Sequence, residues 1–203
     1  MTGSFDEHRW RELAGRQEMR QQAAGRILAA LDPLGRWAVF GEPVLCGAAA
    51  YGLLVKPDID IEIYGDLDPT AGFVLLQDWA RNKAVRRSLF INAVGQQDAG
   101  LGWEVRYLEG ELTWTVQMWL LAEDYAGPRS ANLAHPLRQA LTPYASCAIL
   151  DLKEQHVACA LPYRSIDLYR AVLDDGVETM EEFDRWKQSN SSTGLLEWAP
   201  TAR

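Results

Sequence analysis

The chain has 203 residues, nearly half of them apolar and eight of them tryptophan, with 20 Lys and Arg against 28 Asp and Glu for a formal charge of −8. That is enough for one large domain, or for a catalytic unit with a helical appendage. The acidity excludes a general nucleic-acid-binding surface, which needs a basic face, but it leaves room for a nucleotide held through a divalent metal.

The first stretch, residues 5–31, reads as a long helix with Ser4 as its cap and Glu7 three residues on, ending at Asp32-Pro33-Leu34-Gly35. Arg36 to Phe40 and Pro43 to Gly47 read as short extended segments, and the small residues Ala48 to Ala50 as a short helix or turn before Pro57. Residues 59–64 read as a strand, and Asp68-Pro69 opens a helix with proline at its first position. Three strand-like runs follow at 85–94, 103–110 and 112–121. From Ser130 the pattern turns helical in four segments; Gly176 ends the third, and Thr179 with Glu182 forms a capping box for the fourth. The expected organisation is therefore α/β (α+β). A helix over 1–34 packs on a mixed-sheet core at 35–125, followed by a helical region at 126–188 and a loose tail at 189–203.

The stretch Asp58-Ile59-Asp60-Ile61-Glu62 carries the chemistry. Isoleucines at alternate positions give a strand with one buried face, so the three acids share the other. Like charges that close repel one another. A fold tolerates them on a fully solvated edge strand, or where a cation sits against them. Upstream, Gly47 and the small Ala48 would let the backbone approach a phosphate closely.

The layout Cys46-Gly47-Ala48 through Asp58-Ile59-Asp60-Ile61-Glu62 resembles the nucleotidyltransferase superfamily of DNA polymerase β and the small antibiotic nucleotidyltransferases. That family has a Gly-Ser turn, a gap of about ten residues, then acid–apolar–acid–apolar on the next strand. The resemblance covers roughly residues 35–121. It implies a nucleotidyltransferase-like mixed sheet with flanking helices, Gly47 and Ala48 at the triphosphate, and Asp58 and Asp60 on magnesium or manganese. An acceptor hydroxyl, with a small molecule as the expected acceptor, would attack the α-phosphate of a nucleoside triphosphate and release pyrophosphate. Two positions depart from the pattern. Ala48 replaces the usual serine, and Gln117 stands where the family's third acid belongs; an amide brings neither charge nor basicity there. Glu62, Glu104, Glu109 and Glu111 are the substitutes available. The enzyme reading leads, with a non-catalytic nucleotide-binding or antitoxin-like regulator of the same fold as the alternative.

Lys56, just before the acids, is in reach of a phosphate or else a solvated loop residue. Arg81, Lys83, Arg86 and Arg87 read as a charged helix end beside a strand edge. His8, His135 and His156 lack metal-site spacing and read as structural. Tyr163, Tyr169, Trp114 and Trp119 are core or base-stacking candidates. The last two helices have a helix–turn–helix rhythm, but Glu178, Glu181, Glu182 and Asp184 exclude a DNA-reading one. The three cysteines, Cys46, Cys147 and Cys159, lack zinc-ligand spacing. Their odd number without a leader segment, and the lack of any membrane-length apolar run, lead to the expectation of a reduced, cytoplasmic, non-membrane protein.

Overall fold

A computed structural model describes residues 6–96, 99–190 and 196–200. Helix α1 spans Glu7–Leu31. Asp6 caps it, its carboxylate accepting from the amides of His8 and Arg9 at 2.9 and 3.0 Å; the cap expected at Ser4 lies outside the described residues. The extended segment expected from Arg36 is instead the end of a short helix, α2 (Pro33–Trp37). Asp32 caps it through the amide of Gly35, with Pro33 in the first turn, which is the chemistry that starts helices. Its Trp37 is fully buried and donates its indole N–H to Met118 Sδ.

Five strands follow: β1 (Gly41–Cys46), β2 (Asp58–Gly65), β3 (Val85–Asn92), β4 (Gly100–Glu109) and β5 (Leu112–Ala122). They form one sheet in the order β1-β2-β5-β4-β3. Only β2 and β5 pair in parallel; the other neighbours are antiparallel. Between them lie α3 (Gly47–Tyr51) and α4 (Pro69–Trp79), the latter capped by Asp68. The sheet is therefore mixed, as expected.

One sheet face is the core. Ile59, Ile61 and Ile63 on β2 are at most 1 % exposed, and they meet Val116, Met118 and Leu120 of β5 under α1, α2 and α4. Full burial of each isoleucine is worth roughly 1.5–3 kcal/mol. That burial fixes the register, because a slip by one residue would put the acids inside.

A second apolar cluster holds the helical half: α5 (Ser130–Ala140), α6 (Pro143–Ala158), α7 (Ser165–Asp175) and α8 (Met180–Asn190). Leu13 of α1, Tyr51 at the end of α3, and Leu53 and Val55 just after it belong to it. Gly176 ends α7 at φ 67°, and Thr179 and Glu182 exchange side chain-to-backbone bonds at the start of α8, the capping box read from the sequence. The stretch between β1 and β2 therefore joins the sheet to the helices, and a cleft opens at that seam.

Candidate active site

At the seam lies a cavity of about 510 Å³, within the range of small-molecule sites. The sequence-nominated Gly47, Ala48, Lys56, Asp58 and Asp60 all line it. Gly47 ends the β1-to-α3 turn at φ 64°, and a Cβ there would collide with the Asp60 carboxylate. Glycine is thus required twice, for the backbone conformation and for the close approach. Gln21 of α1 donates to the Ala49 carbonyl at 2.8 Å and holds the turn in place.

Asp58 and Asp60 project from the open face of β2, half-buried. Burial, with the neighbouring Asp58 charge, pushes the Asp60 carboxyl up to about 7. Asp58 is raised as well, by burial, against the opposing pull of Lys153 and Lys56. The pair is thus short of positive charge, the condition under which a cation is welcome.

Lys153 supplies part of that charge, and the sequence reading missed it. It is 2 % exposed on α6, donating to the Leu53 carbonyl at 2.9 Å and the Tyr169 hydroxyl at 3.2 Å. Burial depresses its ammonium to about 8, against the raising effect of Asp58 and Asp60. A signal was available: Lys153 lies four residues after Ile149 and three before His156, both fully buried, so it sits on the packed stripe of its helix. His156 behaves as the structural histidine expected, its Nδ1 2.8 Å from the Leu152 carbonyl.

The remaining wall is helical. Arg129 and Ser130 at the start of α5, and Tyr163, Ser165 and Tyr169 around α7, face the cavity. Lys56 Nζ lies 4.6 Å from the centre of the Tyr163 ring, a cation–π contact that holds both residues at the cavity. Arg129 stacks 4.4 Å over Tyr64 and donates to the Glu123 carbonyl at 2.8 Å. Of the other aromatic candidates, Trp114 is core, whereas Trp119 is half-buried on the open sheet face, its ring over Gly102.

Gln117 pairs with Asp60 across the parallel β2–β5 ladder and shares its face, the position that the resemblance gives to a third acid. The four substitutes separate cleanly. Glu62 accepts from the Tyr64 hydroxyl and from the Ser130 amide, so it caps α5. Glu109 pairs with Arg26, and Glu111 sits in the β4–β5 turn. Glu104 is directly opposite Gln117 on β4 and receives a long contact from its amide at 3.4 Å, but Arg106 already pairs with it at 2.6 Å. Among the described residues no group of three or more His, Cys, Asp or Glu forms a metal cluster. Two carboxylates nevertheless fit magnesium that arrives on a nucleotide, since that ion takes one or two protein carboxylates plus phosphate oxygens and water.

No protein-family model and no curated protein matches the chain. Solved structures do. Cid1, an RNA terminal uridylyl transferase, superposes with TM-score 0.55 at 14% identity over 83% of this chain and 52% of its own. GLD-2 in its complex with RNP-8 gives 0.52 at 13% identity over 90% and 63%. The chain has the nucleotidyltransferase fold. A cytoplasmic RNA terminal U-transferase adds a third likeness, TM-score 0.52 at 14% identity, covering 80% of this chain and 54% of that one. The chain thus spans between about half and two thirds of the length of these neighbours. Among its described residues no helix is long and apolar enough to cross a membrane.

Proposed function

We propose that the cavity binds a nucleoside triphosphate and transfers its nucleoside monophosphate to an acceptor hydroxyl. The observation that carries this reading is the convergence of Asp58, Asp60, the Gly47 turn and buried Lys153 on one cavity of nucleotide size. Asp58 and Asp60 would hold magnesium or manganese brought in on the phosphates; once bound, the ion would neutralise charge developing on the phosphoryl oxygens. The Gly47–Ala48 turn gives the triphosphate room. Lys153, Lys56 and Arg129 offset its charge, and preorganised charge of this kind is the main resource of phosphoryl transfer. The acceptor oxygen bonds to the α-phosphorus as the bond to pyrophosphate breaks. Its proton leaves to water, because the Gln117 amide cannot take it.

For the acceptor we propose an RNA 3′-hydroxyl, following the RNA transferases whose fold the chain shares. The small molecule expected from the sequence has no observation behind it. The open sheet face beside the acids offers Trp119, Arg106 and Arg87 for base and phosphate contacts. The test is incubation with α-labelled nucleoside triphosphates, manganese or magnesium, and oligoribonucleotides with free or blocked 3′ ends. Extension of the free ends alone, abolished in Asp60→Asn, is the expected result. Gln117 favours one second reading, a nucleotide-binding protein without transferase activity. Nucleotide binding with no transfer to any RNA or small hydroxyl compound would put that reading first.

A further inference from the structure

The sequence reads the C-terminal residues as a loose tail, and residues 196–200 do form neither helix nor strand. Their position is nevertheless specific. Leu196, Glu197, Trp198 and Ala199 line the same cavity as Asp58 and Asp60. Trp198 donates its indole N–H to the Asp174 carboxylate at 2.8 Å and packs against the apolar cluster of the helical half. Pro200 then lines a neighbouring groove with Val172 and Leu173. The segment therefore crosses α7. Asp174 lies five residues beyond Tyr169, about 7.5 Å along the helix axis, so the indole N–H is tied further along α7 than the Tyr169 part of the cavity wall.

We infer that Trp198 is the nucleobase-side wall of the cavity, with Asp174 as its positioning residue. This rests on the nucleotide reading above. Three points support a wall over a plug. About 510 Å³ remains open with the segment in place, enough for a nucleotide. Trp198 is half-buried and lines the cavity, so a face of the residue is left for another group. With its N–H committed to Asp174, that face offers stacking rather than hydrogen bonding, and stacking accepts any base because every base has a π-face. The wall should therefore strengthen binding of the nucleoside part, with little preference among bases, and leave the phosphate contacts untouched.

Calorimetric titration of ATP and of inorganic triphosphate, each with magnesium, into wild type, Trp198→Ala, Trp198→Phe and Asp174→Ala tests this. Trp198→Ala should weaken ATP by about tenfold, the usual scale of a lost base–aromatic stack, while triphosphate affinity stays at the wild-type level. Trp198→Phe should keep most of the ATP affinity. Asp174→Ala, which removes the anchor without touching the cavity lining, should lose ATP affinity selectively in the same direction, and it settles the matter if Trp198→Ala does not fold. ATP affinity in Trp198→Ala or Asp174→Ala equal to or tighter than wild type overturns the wall; tighter binding would mark the segment as an obstruction. A wild type that binds neither ligand removes the nucleotide reading and the wall with it. A wild type that binds both, with variants that match it, removes the wall alone.

Discussion

Replacing Asp60 by asparagine should stabilise the protein at neutral pH while removing the proposed metal-dependent nucleotide binding. Burial and the Asp58 charge raise the Asp60 carboxyl from its ordinary 3.8 to about 7. At about 1.4 kcal/mol per pH unit, holding this group ionised costs the folded state roughly 4 kcal/mol above pH 7. The folded state binds the proton more tightly than the unfolded chain, so stability falls as pH rises from about 4 through 7. Lys153 has the opposite profile: depressed to about 8 from 10.5, it costs stability below pH 8 and gives it back as pH rises toward 10.5. Wild type should therefore be least stable between about pH 7 and 8. Asparagine removes the first limb but keeps a polar group to solvate, so a gain of about 2 kcal/mol at pH 7.5 is expected, shrinking to nothing near pH 4. Urea denaturation of both proteins across pH 4–9 measures it. Equal wild-type stability at pH 5 and 7.5, with no gain in Asp60→Asn, would refute the argument that this carboxylate is short of positive charge.

Gly47→Val should abolish nucleotide binding, since its side chain would collide with the Asp60 carboxylate at a φ of 64°; titration with nucleotide, with circular dichroism to verify folding, checks it. Lys153→Met should lower nucleotide affinity by at least about tenfold, because it removes a buried charge from the lining of the proposed nucleotide cavity, and the same titration reads the change. Gln117→Asp should tighten manganese binding measured with nucleotide present, and raise transfer by about 10²-fold if the new carboxylate serves as a base. Should that variant be inert while wild type transfers well, Glu104→Gln becomes the next variant to measure, because Glu104 is the acid opposite Gln117.

The strand at the heart of the site was legible because its alternation is local. Ile59, Ile61 and Ile63 must be buried together, and Asp58, Asp60 and Glu62 then have one face to share. The Gly47 turn was legible for the same reason. What escaped depended on contacts distant in the chain. Lys153 is one hundred residues from the carbonyl it bonds, and only the packing of α6 on the Leu53 segment brings it to the acids. Glu62, a candidate third acid in the sequence, is occupied as the cap of α5, 68 residues on. Glu104 meets Gln117, thirteen residues on in the chain, only through the β4–β5 register. Trp198 has no periodic neighbours to announce it; its place is set by Asp174 and the cavity wall. The helix at Pro33–Trp37 was a different miss. Asp32-Pro33 carries a cap and a first-turn proline, but the aromatic and branched residues that follow suggested an extended segment.

The central claim is that Asp58 and Asp60 make this cavity a metal–nucleotide site. Calorimetric titration of a nucleoside triphosphate with magnesium into wild type and into the Asp58→Asn, Asp60→Asn double variant tests it most directly. The account predicts saturable one-to-one binding to wild type that depends on magnesium, and loss of that dependence in the double variant. Magnesium-dependent binding of equal strength in both proteins, or no binding to wild type, would contradict it.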